Sequence, residues 1–337
     1  VLPGRIKAQN SDFKVWEIPG VKPEGEGDHL YLWLRKDGLS TPHVLSELAR
    51  RCGLRARDLG CAGRKDRDAF TEQWISLPAT IGGNLEALPL DGELQELGGG
   101  SWQIVSRMRH ARSLRTAQLR GNRFALRVTG LDSEQNDDLI ERAERLAAEG
   151  RMLNLYGEQR FVDPGAIAEA ASLLARGNLR GRKAKFLVSV AQAAVFNLYL
   201  QKRGWLAEPM PGEWYGTDGG GRFDGARDEP ATLQQRLDDN EIRPLGPMPG
   251  RDVQPEGRCG ELLFEALSEL GLDGVDWAGF GKRLRGSWRP LWVPLCDLSG
   301  ESDDGAVLLQ FSLPAGSYAT VLVQRLLEDA WIFPRSC

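Results

Sequence analysis

Residues 62–73 read AGRKDRDAFTEQ, and within them Arg64, Lys65, Asp66, Arg67 and Asp68 form an unbroken charged run. The run joins DLGCAG (58–63) to TEQWISLP (71–78), a segment whose pattern predicts a strand. Asp66 stands among three cations and is expected to stay ionised, because nearby positive charge lowers a carboxyl pKa. An ionised aspartate can act as nucleophile or general base without a metal. On composition alone the turn reads more simply as an exposed charged hairpin.

On the N-terminal side, SDFKVWEI (11–18) and HLYLWLR (29–35) alternate as strands do, with the turn-rich PGVKPEGEGD between them. Thr41-Pro42 predicts the N-cap and first turn of a helix that runs through VLSELARR to Gly53. On the C-terminal side, residues 101–109 and 123–129 predict two more strands joined by an arginine-rich loop, and 134–148 an amphipathic helix. The texture then turns helical from about 166 to 204, and residues 205–260 are rich in glycine and proline with short helical pieces. Strand texture returns from about 286 in RPLWVPLCDL and AVLLQFSLP, before a closing helix over SYATVLVQRLLED. Strands, helices, then strands again predict an α+β domain built from both ends of the chain, with a helical domain inserted between.

Charge is unevenly distributed. The 337 residues carry a formal net charge of −4, yet residues 101–130 hold seven arginines and no acid. Arg176, Arg180, Arg182, Lys183 and Lys185 form a second basic cluster, whereas residues 206–276 carry 16 acids against 6 arginines. Basic stripes beside an acidic lobe suit a face that binds a polyanion. Hydrophobic residues at 41% rule out a disordered chain, and no apolar run reaches bilayer length. The opening VLPGRIKAQN does not read as a signal peptide. Five cysteines (52, 61, 259, 296 and 337) form no CxxC pair, and they predict buried, reduced thiols in a cytoplasmic protein. Three histidines without metal-ligand spacing predict no metal site, and there is no P-loop, Rossmann fingerprint or GxSxG elbow. Ser317 is expected to cap the last helix.

The segment at 62–73 resembles the signature of the TruD family of tRNA pseudouridine synthases, A-G-x-K-D-(R/K)-x-A-x-T-x-Q. Ala62, Gly63, Lys65, Asp66, Arg67, Ala69, Thr71 and Gln73 all stand in place. The likeness continues in chain order with D-F-x-V-x-E at Asp12, Phe13, Val15 and Glu17, and G-N-x-F at Gly121, Asn122 and Phe124. It extends to N-x-(F/Y)-G-x-Q-R-F at Asn154, Tyr156, Gly157, Gln159, Arg160 and Phe161, and to F-x-L-P-A-G-(S/C)-(F/Y)-A-T from Phe311 to Thr320. Val162 departs from the family, which places glycine after Q-R-F. The first strand begins near the start of the chain, so a piece of the family's N-terminal pattern is expected to be missing.

The resemblance implies a catalytic pseudouridine synthase domain with a mixed, mainly antiparallel sheet, formed by residues 1–148 and 286–337. Residues 149–285 would be the inserted α-rich TRUD domain. It implies isomerisation of uridine 13 of tRNA to pseudouridine, by detachment of the base at N1 and reattachment at C5. That reaction requires no cofactor and one carboxylate, which aligns with Asp66. By the same resemblance Phe13, Phe311, Asn122 and Phe124 line the target nucleotide, and Lys7 meets phosphate. Arg107, Arg109, Arg112 and Arg115 are then expected to track the tRNA backbone. Arg180, Arg182 and Lys183 would face the RNA across a cleft, the acidic lobe facing away. The expected partner is tRNA, with no membrane or metal, and the expected state is a monomer. The rival readings are a non-catalytic tRNA-binding or folding protein on the same scaffold, and a methyltransferase, whose glycine-rich cofactor loop is not visible.

Overall fold

The structure, a computed structural model, describes residues 1–79, 84–161, 163, 165–177, 179–204 and 208–332. Val162 and Cys337 lie outside the described residues. Alternation in the first forty residues gives two strands, β1 (Phe13–Pro19) and β2 (His29–Asp37). In β1, Phe13, Val15 and Glu17 are buried while Lys14 and Trp16 are half-buried, as a strand with one covered face requires. Helix α1 (Thr41–Cys52) is capped by Ser40, one residue before the expected Thr41. The Ser40 hydroxyl accepts from the His43 amide, and Gly53 ends the helix at φ 68°. The shift leaves the Thr41 hydroxyl available for tertiary bonds.

The next elements are β3 (Gly60–Cys61), β4 (Phe70–Pro78), β5 (Gln95–Leu97), β6 (Gly100–His110), β7 (Leu119–Val128) and α2 (Ser133–Glu149). After β8 (Arg151–Leu153) come α3 (Ala166–Ala175), α4 (Gly181–Arg203), β9 (Trp214–Thr217), β10 (Arg222–Asp224), α5 (Pro230–Asp238) and β11 (Ile242–Met248). The chain closes with α6 (Gly257–Glu269), β12 (Ser287–Pro290), β13 (Trp292–Pro294), β14 (Cys296–Asp303), β15 (Ala306–Pro314) and α7 (Ala319–Glu328).

The chain divides into two compact units. The first comprises Val1–Arg151, Pro294–Ala319 and Leu326–Asp329; the second centres on Met152–Val293 and takes Thr320–Arg325. The first unit is built on a nine-stranded sheet in the order β14-β15-β7-β1-β4-β2-β6-β5, with β3 added on β4. Every pairing is antiparallel except β1 with β4, so the sheet is mixed and mainly antiparallel. Val44, Leu48, Ala49 and Cys52 of α1 pack on Leu32, Leu34, Ile75 and Trp102. Burying each aliphatic side chain of this kind is worth about 1.5–3 kcal/mol.

In the second unit α4 packs with α3, α6 and β11, beside a four-stranded sheet in the order β10-β9-β11-β12. The glycine- and proline-rich sequence of 205–260 gives no sign of β9, β10 or β11, whereas β12 falls where strand texture is expected to return. Pro244 and Pro247 argue against a central strand because proline cannot donate to a ladder. In β11 the carbonyl of Pro244 instead accepts from the Leu291 amide at 2.9 Å. Two smaller expectations are corrected. Tyr318, not Ser317, stands at the N-cap of α7, and the Ser317 hydroxyl has no hydrogen-bond partner among the described residues. Of the cysteines, Cys52 and Cys259 are buried, but Cys61 is half-buried and Cys296 exposed.

Candidate active site

Residues 62–69 lie between β3 and β4 without regular structure, so their backbone must find partners elsewhere. Side chains from three neighbouring elements supply them. The Gln73 amide on β4 donates to the Gly63 carbonyl at 2.8 Å, and the Lys65 amide donates to the Thr41 hydroxyl on α1 at 2.9 Å. That hydroxyl donates in turn to Gln73 Oε1 at 2.8 Å, so the first turn of the helix and the strand hold the loop together. From β2, the Lys36 ammonium donates to the Asp66 carbonyl at 2.5 Å.

Of the five lysine and arginine side chains around Asp66, two are buried, Lys65 and Lys36. Lys65 turns inward, where Nζ meets Asn122 Oδ1 at 2.5 Å and lies 3.5 Å from the buried Glu17 carboxylate. Burial lowers the Lys65 pKa against the pull of Glu17, and burial raises that of Glu17 against the pull of Lys65. Lys36 is 1% exposed, and burial depresses its pKa to about 8 against the attraction of Asp66, Asp37 and Asp68. Arg64 and Arg67 are exposed. The cation in contact with the Asp66 carboxylate therefore comes from outside the run: Lys7 Nζ stands 3.5 Å from Oδ2.

Asp66 itself reaches solvent, with 63% of its side chain exposed. Lys7 also lies over the Phe13 ring, 4.0 Å from its centroid. Lys7 adopts φ 60°, a left-handed conformation unusual for a side chain other than glycine. The chain on either side is fixed, by paired bonds between Arg5 and Thr129 and by the Gln9 and Asp12 capping interactions. Phe13 begins a row of rings: its centroid is 6.2 Å from that of Phe124, which stacks on Phe311 at 5.1 Å. Phe124 and Phe311 are directly opposite in the β7–β15 pairing, and all three rings are buried.

Asn122 stands two residues before Phe124, opposite Glu17 on β1 and Leu313 on β15. Lys65 occupies its side-chain oxygen, and its Nδ2 has no partner among the described residues. Gly121 explains its own place in the motif, since a Cβ there would run into the Leu313 carbonyl.

The arginine stretch separates into two kinds. Arg107 on β6 is held by Asp91 at 2.5 Å and by the Pro89 carbonyl, while Arg109 is exposed and reaches the Gly27 carbonyl at 3.3 Å. Arg112 and Arg115 are exposed on the loop 111–118. That loop lies against the Asp66 loop, for the Ala117 amide donates to the Ala62 carbonyl at 2.8 Å. In the second unit Arg180 and Arg182 are exposed at the start of α4, and Lys183 pairs with Glu169 at 2.6 Å. The Asn154–Phe161 motif has internal roles there. The Asn154 amide donates to the Pro290 carbonyl, Arg289 donates to Asn154 Oδ1, and Asn197 bonds the Tyr156 backbone twice.

Lys36 and Thr41 were not singled out from sequence. Lys36 shares its parity with Leu32 and Leu34, so the alternation of β2 already assigned this lysine to the buried face. A charged residue at such a position needs a polar partner, and Lys36 finds it in the Asp66 carbonyl.

The sequence profile described as "tRNA pseudouridine synthase D (TruD)" matches residues 2–181 and 168–326. A protein from Anaeromyxobacter sp. (strain Fw109-5) named "tRNA pseudouridine synthase D" is 34% identical, over 99% of this chain and 95% of its own. One of the same name from Thermus thermophilus is 33% identical, over 96% of this chain and 89% of its own. The crystal structure of the "putative tRNA pseudouridine synthase D (TruD)" from Methanosarcina mazei shares the fold at TM-score 0.73 and 19% identity, covering 100% of this chain and 95% of that one.

Proposed function

The chain belongs to the TruD family of tRNA pseudouridine synthases, and we propose that it isomerises uridine 13 of tRNA with Asp66 as its catalytic carboxylate. In the reaction the N1–C1′ bond breaks, the base turns, and a C5–C1′ bond forms. The hydrogen on C5 leaves to solvent, and N1 gains a proton. Atoms and electrons balance within the nucleotide, so a positioned carboxylate is the protein's chemical contribution. Attack on C1′, addition at C6 and proton abstraction from C2′ all start from an ionised aspartate.

The observation that carries this reading is the setting of Asp66: an exposed carboxylate on a pinned loop, 3.5 Å from Lys7. A uridine in folded RNA must first be extruded, at roughly a few kcal/mol. Phe13, with Phe124 and Phe311 behind it, would form the apolar floor beneath the base. Asn122 Nδ2 would donate to a uracil carbonyl, and Lys7 would meet the adjoining phosphate as well as Asp66. Arg107, Arg109, Arg112 and Arg115, with Arg180, Arg182 and Lys183, are proposed contacts to the RNA backbone, which position without reading sequence. In this reading residues 149–285 act as the inserted domain and the protein works as a cytoplasmic monomer. No helix among the described residues is long and apolar enough to cross a membrane.

The test uses tRNA tritiated at C5 of its uridines, with wild type and Asp66→Asn side by side. Release of tritium by wild type alone, lost when uridine 13 is replaced, is the expected result. No release from either protein on bound tRNA would overturn the reading in favour of an RNA-binding role.

A further inference from the structure

Among the described residues the backbone of Asp66 makes a single hydrogen bond, and its donor is an ammonium with no other hydrogen-bond acceptor there. Lys36 lies near the end of β2, opposite Thr71 of β4 and Trp102 of β6, and is 1% exposed. Burying an ammonium is unfavourable unless it is paired and hydrogen-bonded. A methionine or leucine would fill the same space as the leucines that precede it on this face of β2. The lysine is therefore explained by what it touches, which is the backbone of the residue proposed as the catalytic carboxylate.

We propose that Lys36 is the positioning residue of this site, fixing the Asp66 carbonyl so that the carboxylate is presented at the depth and angle the reaction requires. The inference rests on Asp66 as the catalytic group. Three features make the bond decisive. The loop has no regular ladder of its own, so removing the donor frees the Asp66 peptide to rotate. Thr41 and Gln73 fix residues 63 and 65, leaving Lys36 as the anchor at 66 itself. The ammonium also places positive charge behind a carboxylate that Lys7 meets from the front. The charged and titratable groups facing Lys36 are Asp66, Lys65 and Asp68 from the loop and Asp37 from its own strand.

Because the ammonium is held near pKa 8 by burial, the positioned state should weaken as Lys36 loses its proton. An arginine at the same place stays charged throughout the accessible range. The experiment measures single-turnover pseudouridine formation from pH 6.5 to 9 for wild type, Lys36→Met, Lys36→Arg and Asp66→Asn. Affinity for tRNA and melting temperature are measured on each protein.

The expected result is a 10- to 100-fold loss of rate in Lys36→Met, with tRNA affinity within twofold of wild type and a folded melting transition. Wild type should lose rate above about pH 8, and Lys36→Arg should recover part of the rate without that alkaline limb. A Lys36→Met rate within twofold of wild type would overturn the proposal. So would an identical alkaline limb in wild type and Lys36→Arg, which would assign the titration elsewhere. Activity in Asp66→Asn would instead remove the reading of Asp66, and this inference with it; an inactive Asp66→Asn beside an active Lys36→Met would remove this inference alone.

Discussion

Lys7 and Asp66 meet across 3.5 Å, although 58 residues separate them in sequence and neither belongs to a strand or helix. Asp66 is tied down by its own carbonyl, and Lys7 by the bonds that clamp Arg5 and the turn at Gln9–Asp12. Their approach is therefore set by the sheet beneath, in which β1 and β4 run side by side.

Lys7 occupies a left-handed backbone conformation, which costs a residue with a Cβ about 1–2 kcal/mol. Lys7→Ala removes the ammonium and keeps the strain, whereas Lys7→Gly removes both. Urea denaturation should place Lys7→Gly about 0.5–1 kcal/mol above Lys7→Ala, after the greater freedom of unfolded glycine is counted. Both should lose pseudouridine formation at least tenfold.

Gly121 has no room for a methyl group, because the Leu313 carbonyl faces it across the β7–β15 pairing. Gly121→Ala should cost about 1–3 kcal/mol in denaturant unfolding through forced separation of the strands. Asn122 is the next residue, so the rate on bound tRNA should fall as well. A control alanine at Gly63, where a Cβ would meet only the Leu119 side chain at ordinary contact distance, should be milder in stability.

Lys36 makes stability depend on pH in a definite direction. Its folded pKa, about 8, is below the 10.5 of the unfolded chain, so the folded state binds fewer protons between those values. The burial penalty is present in full below pH 8 and is relieved as pH rises toward 10.5. The gap of two to three pKa units corresponds to about 3 kcal/mol. Between pH 7 and 10 wild type should gain stability relative to Lys36→Met by roughly 2 kcal/mol, since the other titrating groups are common to both. A constant difference across that range would show that the ammonium is better solvated than its burial implies.

Arg112 and Arg115 are exposed beside the Asp66 loop, whereas Arg107 is committed to Asp91 and Pro89. Each arginine that neutralises a phosphate releases counterions, so its removal should reduce the slope of log affinity against log salt by about 1. Arg112→Ala with Arg115→Ala should therefore flatten the slope by roughly 2. Arg107→Ala should flatten it by less than either, because part of that guanidinium is already satisfied by Asp91, and should also loosen the segment around Asp91, read as faster amide exchange there.

Much of this architecture could be read from the sequence because period-two alternation and helix capping leave local marks. The sandwich of strands around a helical middle was visible in SDFKVWEI, HLYLWLR and AVLLQFSLP, and the central carboxylate in the 62–73 motif. Tertiary pairing left no such mark. The run of cations around Asp66 suggested that its sequence neighbours set its charge environment, yet Lys65 points to Asn122 and the contacting cation is Lys7. The strands β9 to β11 were missed because the glycines and prolines in and around them have low strand propensity, which long-range pairing overrides. Lys36 was visible in principle as a lysine on an apolar parity, but only the structure shows which carbonyl it meets.

The ring pair Phe124 and Phe311 joins residues 187 positions apart, so the strand that carries Phe311 leaves the ribosome long after the one that carries Phe124. Chains emerge from the N-terminus at about 5–20 residues per second. For roughly ten seconds or more β7 must wait without β15, its neighbour on that side, while the intervening residues are made. A nascent or truncated chain thus carries the aspartate and its anchoring lysines without the finished floor behind them. Modification activity should switch on only once β15 has emerged and paired, and a product that stops before it should be recognised by its open strand edge as a client for chaperones or proteases.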